Sequence, residues 1–68
     1  MVLGALQARL QVLENEILRL TKLAAQEPGQ TQQDNYWRLA QDLQREARAL
    51  RAEIARILES AEVAARDA

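Results

Sequence analysis

Few side chains in this sequence are of the types that perform acid–base or metal chemistry. The 68 residues include no His and no Cys, so the commonest general base and the usual soft metal ligands are missing. The candidates that remain are carboxylates, one lysine and Tyr36. Glu14 and Glu16 face different directions on a helix, whereas Glu59 and Glu62 share one face without a His companion. We interpret these carboxylates as solvated surface charge, and expect no catalytic site, metal site or cofactor.

A cluster of arginines between residues 38 and 56 is the pattern that most favours contact with phosphate groups. Its members are Arg38, Arg45, Arg48, Arg51 and Arg56. They alternate with Asp42, Glu46 and Glu53 and fall on different helical positions, which is typical of an ion-paired, solvated surface. The net charge of −1 also provides no global field to attract nucleic acid. Nucleic-acid binding is therefore the least supported binding function.

The composition indicates an all-α protein. Apolar residues make up 49% of the chain and aromatic residues only 3%, with one Pro and two Gly, and most of the other residues are good helix formers. No apolar run approaches the ~20 residues of a membrane-spanning helix, and the first residues do not resemble a secretory signal. We expect an intracellular, cytoplasmic protein without a small-molecule substrate.

The first half of the chain carries an apolar heptad repeat. Its members alternate at spacings of three and four: Leu3, Leu6, Leu10, Leu13, Ile17, Leu20 and Ala24. This spacing predicts one helix over residues 2–26. Pro28 cannot continue a helix, and Gly29 supplies the permissive residue of a Pro-Gly turn over residues 27–31.

A second heptad repeat predicts another helix over residues 31–66. Its members are Tyr36, Ala40, Leu43, Ala47, Leu50, Ile54, Ile57, Ala61 and Ala64. The start is assigned to Thr31, because "TQQD" has the form of a capping box with Asp in place of Glu. Asp34 and Asn35 are alternative N-caps. Residues 59–68 extend beyond any residue of the first helix, either as a projecting helix or as a frayed tail.

The two repeats match each other if the chain folds back on itself. Seven layers form when paired residue numbers add up to 60, from Leu3–Ile57 to Ala24–Tyr36. A short connection favours antiparallel neighbours, so we predict a single domain, residues 1–68, built as an antiparallel coiled-coil hairpin. The predicted hairpin core comprises Leu3, Leu6, Leu10, Leu13, Ile17, Leu20, Leu43, Leu50, Ile54 and Ile57.

Two packed helices leave much apolar surface uncovered, and chains this small usually need a metal, disulfides or association for stability. Further apolar residues lie outside both seams, which favours a bundle of more than two helices. We therefore expect a homo-oligomer, with a dimer of hairpins forming a four-helix bundle as the simplest closed assembly. Residues predicted to bind a partner are Val12, Leu18, Tyr36, Trp37, Arg38, Leu39 and Leu58.

Trp37 admits two interpretations. Its ring either covers the end of the core near Leu20, Leu23 and Ala24, with the indole N–H directed to solvent or a loop carbonyl, or forms an exposed hot spot for a partner. Both interpretations of Trp37 hold together if the end of the core that it covers lies inside a dimer interface.

The stretch beginning at Tyr36 and Trp37 also resembles the second helix of the coiled-coil hairpin by which the Ral-effector RhoGAP family binds Ral GTPases. The matching residues are Tyr36, Trp37, Leu39, Leu43, Leu50 and Arg51. The resemblance spans about 20 residues and does not include the first helix or the turn. It implies an alternative function, in which a monomeric effector- or chaperone-type hairpin binds a folded partner such as a small GTPase or a secretion-system subunit.

Overall fold

Two α-helices joined by a short turn make up the part of the chain that the computed structural model describes, residues 2–67. α1 spans Val2–Gln26 and α2 spans Gln30–Asp67. The predicted all-α helical hairpin is confirmed. The molecule measures 58 × 15 × 13 Å. Its long dimension is the length of α2, because 38 residues at ~1.5 Å each extend about 57 Å.

The turn is shorter than predicted and comprises only residues 27–29. α2 begins at Gln30, so Thr31 lies inside the first turn of the helix and the prediction that it is the N-cap was wrong. Asp34 and Asn35 also lie inside α2. The carbonyl oxygen of Gly29 accepts the first helical hydrogen bond of α2, from the Gln33 amide at 2.9 Å. Gly29 therefore occupies the N-cap position, where glycine is also tolerated.

Gly29 does not serve as the left-handed residue of a Pro-Gly turn. No residue among 2–67 has a positive φ, so the prediction of a turn that needs this freedom was wrong. The amide of Gly29 instead donates a hydrogen bond to Glu27 Oε1 at 3.2 Å. Pro28 ends the first helix as expected, because its ring clashes with helical backbone and it has no amide hydrogen to donate.

The core follows the predicted seam and is thin. Among the residues that the structure describes, five are fully buried, and all of them are seam members: Leu13, Leu20, Ala24, Ala40 and Ala47. In two of the predicted layers, Leu13–Ala47 and Leu20–Ala40, a leucine meets an alanine and both are buried, whereas Ala24 shares its layer with half-buried Tyr36. The remaining residues of the predicted core are half-buried. Where two large residues face each other in a two-helix hairpin, no third helix covers their sides, so both remain half-buried.

Two ion pairs between the helices match the predicted register. Arg9 Nη2 lies 2.9 Å from Glu46 Oε1, and Arg51 Nη2 lies 3.9 Å from Glu14 Oε1. Each of the four residues is the chain neighbour of a seam residue in one of two adjacent layers. A shift of one heptad would separate each pair by about 10 Å along the axis. The pairs lie on opposite sides of the seam, as antiparallel coiled-coil packing requires.

α2 continues past the level of Val2, the first described residue of α1. The seam positions Ala61 and Ala64 are exposed. Residues 59–67 are helical, which favours the projecting helix over the frayed tail for this part of the segment; Ala68 lies outside the described residues.

Candidate interaction surfaces

The residues predicted to bind a partner do not form one patch. Six of the seven are exposed, and Tyr36 is half-buried in the seam. Val12 and Leu39 lie on one side of the hairpin, whereas Leu18, Trp37 and Leu58 lie on the other. The division follows from the heptad repeat, since positions on either side of the seam point in opposite lateral directions.

The side that carries Val12, named here the Val12 face, combines apolar and charged residues. Its central members on α1 are Arg9, Val12, Glu16, Arg19 and Leu23. Its central members on α2 are Leu39, Asp42, Glu46, Ala49 and Glu53. Val12 is 57% exposed and Leu39 is 52% exposed, and Leu23 is half-buried.

Every charged member of the Val12 face already has an ion-pair partner within its own chain. Arg9 pairs with Glu46, Arg19 with Glu16, Asp42 with Arg45, and Glu53 with Arg56. These residues are exposed or half-exposed, so each pair contributes little to stability. The charged members on α1 are of both signs, whereas the three on α2 are all acidic.

Glu16 and Arg19 form the pair with the clearest effect on protonation. The hydrogen bonds that Arg19 donates, together with its positive charge, hold the pKa of the Glu16 carboxyl below its ordinary value, against the opposing effect of desolvation. The same hydrogen bonds raise the pKa of Arg19, and nearby Tyr36 adds to the effect. Glu16 is therefore a negative charge at all but acidic pH.

The opposite side, named here the Leu18 face, contains an open groove of about 440 Å³. It is lined chiefly by Gln11, Glu14, Leu18, Thr21, Gln44 and Arg48. Leu18 is 55% exposed, and the Thr21 hydroxyl donates to the Ile17 carbonyl of its own helix at 2.7 Å. Amide and charged side chains are equally frequent in this lining, and Glu14 is paired with Arg51, which also lines the groove.

The turn end of the hairpin displays the local sequence that resembles Ral-binding hairpins. Trp37 is 42% exposed, so more than half of the residue's surface is covered while part of it remains accessible to a partner. Arg38 is exposed and forms no ion pair within the part of the chain that the structure describes. Tyr36, Arg38 and Leu39 line a shallow depression together with Gln32.

Gln33 is a structural residue at this end that the sequence pattern did not reveal. Its Nε2 donates to the Ala24 carbonyl oxygen at 3.1 Å. This oxygen, near the end of α1, otherwise accepts only a long hydrogen bond from the Glu27 amide at 3.4 Å. Four glutamines lie between residues 26 and 33, and nothing in their spacing distinguishes this one. The bond depends on where the turn places α2.

The arginine cluster is largely neutralised. Arg45, Arg51 and Arg56 form ion pairs with carboxylates, and these arginines do not share one face. Among the residues that the structure describes, no group of three or more acidic side chains is arranged to hold a metal ion. Neither described helix is long and apolar enough to cross a membrane.

Comparison with known proteins returned no matching family model, no matching curated protein and no matching solved structure.

Proposed function

We propose that this chain is a non-enzymatic protein-interaction module whose hairpins self-associate, with a dimer forming an antiparallel four-helix bundle. The observation that supports this proposal is the thin core. Only five of the residues whose burial the structure describes are fully buried, and a domain of this size with so small a core is marginal as a monomer. Association is the remaining source of stability, because the composition lacks cysteine for disulfides.

The exposed apolar residues support the same proposal. Within the described part of the chain, seven large ones are at least 42% exposed: Val2, Val12, Leu18, Trp37, Leu39, Leu58 and Val63. Each alone is ordinary on a protein surface. Together they lie along both sides of a molecule only 15 Å wide, so a second hairpin docked on either side covers several at once.

Sedimentation equilibrium over a wide concentration range tests the proposal. The expected result is a mass of twice the 7.7 kDa chain that falls on dilution, with a melting temperature that rises with concentration. A stable 7.7 kDa species with concentration-independent melting at every concentration would refute self-association.

A second candidate function is the binding of a folded partner by a monomeric hairpin. The observation that favours it is the turn end, where exposed Trp37 and Leu39 flank Arg38, because Trp and Arg are frequent hot-spot residues. The test is Trp37 fluorescence during titration with a small GTPase or a secretion-system subunit. A saturable change that Trp37→Phe abolishes, in a chain that sediments as a monomer, would favour this function over self-association.

A further inference from the structure

We propose that the second copy docks on the Val12 face, with a twofold axis parallel to the long axis of the hairpin. This inference rests on the proposed function of self-association and adds which surface is used and in which register. In this arrangement α1 of each chain lies antiparallel to α2 of the other, so every helix of the bundle has antiparallel neighbours.

Symmetry leaves this arrangement no freedom to slide. Rotation about an axis parallel to the helices changes no residue's height along that axis. Residues that are level within one hairpin, as Leu13 and Ala47 are, therefore remain level between the two copies. Contacts across the interface can be read from the register established by the Arg9–Glu46 and Glu14–Arg51 ion pairs.

The apolar residues of the Val12 face meet apolar residues in this register. Val12 lies level with Ala49 of the second copy to within one residue. Leu23 lies level with Leu39 of the second copy to within two residues, or ~3 Å along the axis. Twofold symmetry makes each contact twice, so the side chains of Val12 and Leu39, which are more than half exposed in the hairpin, become covered.

The charges are complementary in the same register. Arg19 lies level with Asp42 of the second copy to within one residue, and Arg9 lies level with Glu53 of the second copy to within two. Because these groups are already paired within each chain, docking joins the pairs into networks of alternating sign. Two pairings are unfavourable, because Glu16 lies level to within two residues of both Asp42 and Glu46 of the second copy. An arginine of its own chain neutralises each of these three carboxylates.

The Leu18 face is a poorer match for itself under the same symmetry. It places Leu18 against Gln41 of the second copy, and Gln11 against Arg48 of the second copy. One apolar contact forms, between Ala25 and Trp37 of the second copy to within two residues, and one opposite-charge pair, between Glu14 and Arg48 of the second copy. The Val12 face provides two apolar contacts and two opposite-charge pairs, and is therefore the assigned interface.

Two matched substitutions test which face is used. Val12 and Leu18 lie on the same helix with nearly equal exposure, 57% and 55%, but on opposite faces. Val12→Gln should raise the dimer dissociation constant about tenfold, since two apolar side chains per dimer are no longer buried, whereas Leu18→Gln should change it less than about twofold. Equal effects, or a larger effect at Leu18, would overturn the assigned interface.

A charge-reversal mixture tests the register. Arg19→Asp homodimers and Asp42→Arg homodimers should each be weakened, because like charges face each other twice. In a mixed dimer both sites again pair opposite charges, so heterodimers should exceed the statistical half of the population in sedimentation or native mass spectrometry. Circular dichroism of each variant checks that the helices persist. Homodimers as stable as the wild type, or no heterodimer preference, would overturn the register.

The failure of this inference is distinguishable from that of the proposed function. A wild-type chain that remains monomeric overturns both. A dimeric wild type whose mass is insensitive to Val12→Gln and to the charge reversals retains self-association and overturns only the docking on the Val12 face.

Discussion

Arg9 and Glu46 lie 37 positions apart in sequence and form an ion pair with a distance of 2.9 Å between Nη2 and Oε1. The contact crosses from α1 to α2 beside the layer that contains Leu13. Because a register shift of one heptad would move the two groups about 10 Å apart, this pair reports directly on how the hairpin is aligned.

Charge reversal should therefore reveal the alignment. Glu46→Arg should lower the free energy of unfolding by about 0.5–1 kcal/mol, since two guanidinium groups then repel each other at an exposed site. Adding Arg9→Glu should recover most of the loss. Urea unfolding at low and high salt measures both effects, and high salt should reduce them. If the double variant is no more stable than the sum of the single changes predicts, the two residues are not neighbours.

Heptad spacing was sufficient to predict the helices and their alignment, because a seam such as Leu6, Leu10 and Leu13 has one stable partner when the turn is short. The details of the turn were not predictable in the same way. Thr31 carries a recognised capping pattern and yet lies inside α2, because the backbone oxygen of Gly29 fills that position instead. Side-chain hydrogen bonds such as the one from Gln33 depend on where the turn places α2. The spacing of apolar residues carries no information about that placement.

The predicted binding residues divide between the two faces of the hairpin, and their apolar character alone does not show this. Val12 and Leu18 are both apolar residues away from the seam. Six positions on a helix turn the side chain by about 240°, so the two project on opposite sides of the hairpin. Which side a partner covers depends on surrounding charges such as Arg19 and Arg48, and those become informative only when the register is known.

Leu13 should be among the most sensitive positions in the chain. It is 2% exposed and packs in a layer with Ala47, which is too small to fill the space that a truncated side chain would leave. Leu13→Ala should lower the free energy of unfolding by about 2–5 kcal/mol, and Leu13→Glu should unfold the protein because its charge cannot be buried without a partner. Circular dichroism during thermal unfolding measures both.

Leu18 is the matched control for this prediction. It is on the same helix but more than half exposed, so Leu18→Glu should remain folded. A normally folded Leu13→Glu chain would contradict the layer register.

Gln33 should stabilise the turn end through its bond to the Ala24 carbonyl oxygen. Ala24 is fully buried, so without the Gln33 bond its carbonyl oxygen keeps only the long hydrogen bond from the Glu27 amide at 3.4 Å. Gln33→Ala should lower the free energy of unfolding by about 0.5–1.5 kcal/mol. The neighbouring Gln32, which is exposed, provides the control. Equal stability of Gln33→Ala and Gln32→Ala in urea unfolding would show that the bond contributes nothing.

Glu16 should contribute stability that depends on pH in a defined direction. Its pKa is lowered in the folded chain by the hydrogen bonds from Arg19. A lowered pKa stabilises the fold above the ordinary carboxyl pKa, and the contribution is lost as the pH falls through the lowered folded value. NMR titration of the Glu16 carboxyl carbon measures this pKa. Arg19→Gln should raise it towards the ordinary value, whereas Arg38→Gln, at an exposed site, should leave it unchanged. An unaltered pKa in Arg19→Gln would exclude the pair as the cause.

Trp37→Ala separates the two interpretations of this residue. Trp37 is 42% exposed. More than half of the residue's surface is therefore covered, and truncation to Ala removes the packing contacts of that covered part. We expect the free energy of unfolding to fall by about 1–3 kcal/mol, while Arg38→Ala, at the adjacent exposed position, should unfold like the parent. Urea unfolding followed by circular dichroism measures both variants. If Trp37→Ala is as stable as the parent, the ring does not cover the core, and its exposed part becomes the stronger candidate for contact with a folded partner.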